Sequence, residues 1–136
     1  MLNGGCLCGD IRYEAGEGAF HQSACHCSIC RRASGAPFVA WFSVARANFR
    51  WLRGQSATYV SSEHGKRSFC ARCGTQLMFE DDRYPDEVDL TTCSLDEPGR
   101  FPPQSHIYTA TQVEWVRLAD GLPRYAGSRD AVSAGA

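Results

Sequence analysis

Hydrophobic and polar positions alternate along this chain in short runs rich in aromatic and β-branched residues, punctuated by Gly, Pro and Asp. Runs over 11–14, 38–44, 48–52, 57–61, 76–80, 88–92 and 106–109 predict strands. None sustains a helical period. The helix candidates are short: one turn after Cys27 that runs into Arg31 and Arg32, and another over 96–101 that Pro98 interrupts. Many short strands joined by polar turns predict an all-β fold of small antiparallel sheets, with a core modest enough to need metal crosslinks. Trp41, Phe42, Trp51, Tyr59, Phe79 and Trp115 alternate with polar neighbours, and are assigned to the core rather than to ligand stacking.

Length and charge narrow this picture. At 136 residues the chain predicts one domain, taken as 1–126, followed by a flexible tail over 127–136 with no aromatic residue to bury. Lys+Arg 14 against Asp+Glu 15 leaves a net charge of -1, so no nucleic-acid partner is expected; Arg46, Arg50 and Arg53 form only a sparse basic cluster. No apolar run is long enough to span a membrane, and none is expected to. The opening MLNGGCLCGDIRYE has neither a basic segment nor an apolar one of the secretory kind, so a reducing, cytoplasmic setting is expected.

Eight cysteines change the picture most. Seven fall into three clusters, Cys6-x-Cys8, Cys25-x-Cys27-x-x-Cys30 and Cys70-x-x-Cys73, while Cys93 stands alone. Clustered cysteines in a reducing compartment favour zinc over disulfides. A Cys-x-x-Cys pair closed by a tight turn, as in FCARCGTQL, presents two sulfurs to one ion. Seven thiolates cannot fill two tetrahedral sites of four. Either Cys6, Cys8, Cys70 and Cys73 close one site and leave Cys25, Cys27 and Cys30 as a tripod, or Cys27, Cys30, Cys70 and Cys73 pair and strand the rest. Spacing does not choose. A tripod would keep an open position for water or substrate, which is the mark of a catalytic ion.

The segments GGCLCGDIRYE, CHCSICRRASGAPFVAWF, FCARCGTQL, SLDEP and HIYTATQVEW followed by LADGLPRY resemble, in that order, those of the glutathione-dependent formaldehyde-activating enzyme and centromere protein V family, over about residues 3–125. The resemblance implies an Mss4-like (β-tent) fold and two zinc ions per chain. It implies a structural site at Cys6, Cys8, Cys70 and Cys73, and a catalytic one at Cys25, Cys27 and Cys30. It also implies a carbon–sulfur lyase, similar to S-(hydroxymethyl)glutathione synthase, whose partners are a small thiol such as glutathione and an aldehyde such as formaldehyde. Cys93 occupies a place where the family often has a small residue such as glycine, so it is expected to be a free thiol.

Each sharp assignment has a plainer rival. The middle cluster could be a second structural site completed by His21, His26, His64 or His106. In an extended stretch His26 points away from a metal held by its two neighbours, which makes it a poor fourth ligand. His106 is a candidate substrate contact or a plain core residue; His21 and His64 are expected at the surface. Arg31 and Arg32 follow the tripod, where a cation would offset thiolate charge and receive a substrate carboxylate, unless they belong to a solvated turn. The rival function is a non-catalytic, zinc-stabilised binding module for a protein or nucleic-acid partner.

Overall fold

A computed structural model describes residues 1–128, and their secondary structure is mostly strand. In chain order these are β1 (Leu2–Gly5), β2 (Arg12–Ala15), β3 (Phe20–Cys25), helix α1 (Ser28–Ser34), β4 (Val39–Ala45), β5 (Phe49–Arg53), β6 (Ala57–Val60), β7 (Gly65–Phe69), β8 (Gln76–Asp81), β9 (Glu87–Thr91) and β10 (Ser105–Ile107). From residue 129 the expected tail lies outside the described residues. No helix among them is long and apolar enough to cross a membrane.

The strands form a three-stranded sheet, β1-β2-β5, and a seven-stranded sheet, β10-β3-β4-β9-β8-β7-β6. The sheets are antiparallel as expected, with one strand pairing among the described residues as a local exception: β10 runs parallel to β3, pairing His106 with Ala24 and Ile107 with Cys25. A parallel neighbour requires a long crossover. Here the chain supplies it after β9, through 3-10 turns at Thr92–Ser94 and Pro98–Arg100. The helix expected over 96–101 is reduced to the second of these turns, with Pro98 at its start and Gly99 inside it.

Period-two alternation divides the large sheet into two faces. Along β4, Phe42 and Val44 join Leu2, Tyr13, Ala15, Met78, Val88 and Leu90 in the core between the sheets. Trp41 and Ser43 face the other way. Tyr13 is fully buried with its hydroxyl 2.8 Å from Ser94 Oγ, and burial pushes its pKa up to about 12. Phe42 stacks on Phe101, with ring centroids 5.8 Å apart.

Three strands escape the sequence reading, each for a physical reason. In β1, Gly4 lies under the Tyr13 ring, and a Cβ there would come within 2.5 Å of it, so glycine occupies an inward position that pattern reading expects to be apolar. In β3 and β7 the polar residues His21, Ser23 and Arg67 line a cavity on the second face of the large sheet, with Ser23 and Arg67 buried and His21 exposed. Two aromatic assignments are corrected. Tyr59, on the edge strand β6, is 66% exposed and Trp115 is 68% exposed, so neither is core.

Candidate metal centres and the cavity

The first and third cysteine clusters come together although they are far apart in sequence. Cys6 and Cys8 lie in the turn between β1 and β2; Cys70 and Cys73 lie in the turn between β7 and β8. All four sulfurs are within 4.8 Å of one another, with Cys6 3.6 Å from Cys8 and Cys8 3.8 Å from Cys70. Each turn is shaped to present its sulfurs. Gly74, at φ 81°, sends its N–H to Cys70 O at 2.8 Å, and Gly9, at φ 83°, sends its N–H to Cys6 O at 3.1 Å. Backbone amides of Ile11 and Cys73 point at the sulfurs of Cys6 (3.2 Å) and Cys70 (3.5 Å). The Thr75 hydroxyl and backbone bonds from Thr75 and Cys8 hold the Cys73 thiol down at about 5, so this sulfur carries negative charge near neutrality.

The middle cluster is local. β3 delivers Cys25 at its last residue, Cys27 caps α1 by accepting the Cys30 N–H at 3.2 Å, and Cys30 follows one turn on. Their three sulfurs also lie within 4.8 Å of one another. Hydrogen bonds from Cys25 and Cys30 hold Cys27 well below the usual thiol range, while the same contacts and burial push Cys25 far above it. No histidine joins either group of sulfurs among the described residues.

His26 engages elsewhere. Its Nε2 is 2.9 Å from His106 Nδ1, its ring packs on Phe38, and His106 Nε2 is 2.8 Å from Asp120 Oδ2. Burial, and then the neighbouring His106, hold His26 below the ordinary imidazole range, and the His106 bond lowers Asp120. With the His26 amide donating to Ile107 O at 3.0 Å and the Thr111 hydroxyl donating to His26 O at 3.0 Å, this chain ties the tripod loop to β10 and the segment after it.

The tripod lies on a cavity of about 650 Å³, built on the second face of the large sheet. Across that face the register sets Ser43, Asp89, Phe79 and Arg67 in one row. Ser43 Oγ donates to Asp89 at 2.5 Å, and Trp41 meets Phe79 edge-on at 6.3 Å. His21, Tyr108 and Arg83 contribute to the walls. The sulfurs of the four-cysteine group do not line this cavity.

Of the residues the sequence singled out as substrate contacts, none lines the cavity. Arg31 donates to Thr111 O at 3.2 Å, Arg32 is exposed, and His106 is buried between His26 and Asp120. His64 pairs with Asp82 at 2.8 Å, and Cys93 is exposed outside both sulfur groups. The cavity residues missed are Arg67 and Asp89, while Trp41 and Phe79, assigned to the core, pack with Cys25 and Cys30 and also line the cavity. The only signal in sequence for the missed pair is Arg67 itself, an arginine three positions before a Cys-x-x-Cys knuckle, on the strand that leads into it.

Together these features define a small all-β protein with two cysteine clusters able to hold metal ions, one tying sheet to sheet and one facing a cavity. The family model for the glutathione-dependent formaldehyde-activating enzyme matches residues 1–111. The chain belongs to that family. It is 27% identical, over 87% of its length and 81% of the relative's, to a Halomonas elongata protein named "Putative glutathione-dependent formaldehyde-activating enzyme". An uncharacterised lyase of Schizosaccharomyces pombe is 37% identical over 76 residues, which is 56% of this chain and 55% of the lyase. A Rhodobacter sphaeroides protein of known crystal structure superposes with TM-score 0.60 at 22% identity, covering 90% of this chain and 98% of that one; this likeness bears on the fold alone.

Proposed function

We propose that this chain is a zinc-dependent carbon–sulfur lyase that joins a glutathione-like thiol to formaldehyde or a similar small aldehyde, and releases them in reverse. The observation that carries the reading is the placement of three cysteine sulfurs on a cavity wall, beside a separate group of four that lies away from it. The names of the relatives support the reaction class.

The donor sets fit zinc. A Zn–S bond of about 2.3 Å implies tetrahedral sulfur–sulfur edges of about 3.8 Å. The 3.6 and 3.8 Å separations in the four-cysteine group match that edge. Cys6, Cys8, Cys70 and Cys73 would close a structural site, while Cys25, Cys27 and Cys30 would leave one tetrahedral position free. Zinc at the tripod would supply a Lewis acid able to keep an incoming thiol as thiolate at neutral pH. An all-sulfur tripod is a soft donor set, which favours thiol exchange over making hydroxide from water. Trp41 and Phe79 form an apolar wall beside it, limiting water at the reacting carbon. Clustered thiols suit a reducing compartment, which supports the cytoplasm.

Freshly prepared protein should carry two zinc ions per chain by elemental analysis, with Cys93 alone alkylated under native conditions. In protein with cobalt at the middle site, glutathione should change the ligand-field bands and Cys25→Ser should abolish the change. Formaldehyde added next should form adduct faster than in the uncatalysed reaction, as measured by exchange NMR. A folded, fully metallated protein whose spectrum ignores every small thiol would instead be a binding module.

A further inference from the structure

Arg67 is a charged residue in the interior. It is 6% exposed, and no ion pair joins it to a carboxylate among the described residues. The nearby acids are engaged elsewhere: Asp81 takes both ends of Arg83, and Asp89 accepts from Ser43. The guanidinium lies against Phe79 at 5.0 Å and Trp41 at 5.9 Å, its Nε donates to Ser61 Oγ at 3.2 Å, and its Nη2 reaches Cys30 Sγ at 3.5 Å. Nη1 is buried and has no hydrogen-bond partner among the described residues. A buried donor left unsatisfied costs about 1–3 kcal/mol, and more on a charged group. Four contacts therefore fix this side chain at the tripod, and the N–H groups of Nη1 remain for a group that the described residues do not supply.

The geometry points to Arg67 as the residue that receives the substrate's oxygen: Nη1 donates to the oxygen on the carbon that becomes bonded to sulfur. This rests on the reading of the tripod as a thiol site. The guanidinium is a rigid planar fork, so with Nη2 on a tripod sulfur, Nη1 serves only what lies directly beside the tripod. An oxygen on the carbon next to a bound sulfur is within that range. The carboxylates of a glutathione-like peptide, several bonds further along, are not. In the forward step the thiol's proton leaves to solvent, and a thiolate electron pair forms the C–S bond. The carbonyl π pair moves to oxygen, and the alkoxide takes a proton from water. Thiol plus aldehyde gives the hydroxyalkyl thioether with no redox change, and Arg67 stabilises the charge that develops on oxygen.

Thioacetate and propane-2-thiol test this without turnover. They are close in size, with the same branching at the carbon bonded to sulfur, but only thioacetate carries an oxygen on that carbon. With cobalt at the middle site, the affinity of each is read from the ligand-field bands of the wild type, Arg67→Gln and Arg67→Lys. Arg67→Gln should lose about tenfold or more for thioacetate and less than about threefold for propane-2-thiol, with Arg67→Lys between the two. Equal losses for both probes in both variants, or no loss for either, would overturn the assignment. If one variant fails to take up cobalt, the other decides. Were neither probe to perturb the wild-type bands, the thiol-site reading itself would fall, and this assignment with it.

Discussion

Cys70→Ser is expected to yield insoluble or unfolded protein, whereas Cys27→Ser is expected to fold and retain one metal ion. Cys70 is 2% exposed, its amide bonds to Thr75 O at 3.0 Å, and its sulfur belongs to the group that fastens the β1–β2 turn of the small sheet to the β7–β8 turn of the large one. A closed four-thiolate zinc site contributes on the order of 10 kcal/mol at neutral pH, comparable to the whole stability of a domain this size. The tripod spans only Cys25 to Cys30, and its loop is also held by the His26–His106–Asp120 chain. Losing one of its sulfurs therefore removes an ion without separating the sheets. Circular dichroism and metal content on the two variants decide the matter, and equal loss of folding would show that the two sites share one structural role.

The second large effect is expected at Phe42. Its ring is fully buried between the sheets and stacked on Phe101, so Phe42→Ala should lower the unfolding free energy by about 3–5 kcal/mol. Phe42→Leu, which keeps more of the volume, should cost less than half of that. Urea titration of the fully metallated protein measures both. Because Phe42 faces the core and its neighbour Trp41 faces the cavity, Phe42→Leu should leave thiol binding at the tripod unchanged. A loss below about 1 kcal/mol for Phe42→Ala would mean that metal crosslinks, rather than packing, hold the sheets together.

Most strands visible in sequence have an apolar face against the core, such as β4 and β9 with Phe42, Val44, Val88 and Leu90; the edge strand β6 was legible from its β-branched and aromatic residues although they are exposed. The three missed strands depart from that pattern for a structural reason: Gly4 yields its space to Tyr13, and in β3 and β7 the inward positions belong to a polar cavity. Strand pairing was not legible either, since nothing in residues 105–107 distinguishes a parallel partner for β3 from an antiparallel one. The three cysteine clusters were legible because ligand chemistry imposes spacing on the chain, but how they group was legible only through the family resemblance. The cavity side chains were not, because Arg67, Phe79 and Asp89 meet through strand register rather than through sequence proximity. Arg31 and Arg32 drew attention by adjacency to Cys30, yet they sit in the last turn of α1, where cations complement the helix C-terminus and Arg31 reaches the Thr111 carbonyl.

The separation of Cys8 from Cys70 by 62 positions orders the events of folding. The Cys25, Cys27 and Cys30 donors are neighbours in the unfolded chain and can seize an ion at once. The other four thiolates share an ion only after a long loop has closed and both sheets have met, so ion capture there is governed by slow, non-local chain topology. In a newly made chain the tripod would therefore compete for metal early, and uptake by the four-cysteine group would come last. An ion fixed between the sheets then marks a finished molecule, one that no longer exposes the open edges of a half-assembled sheet.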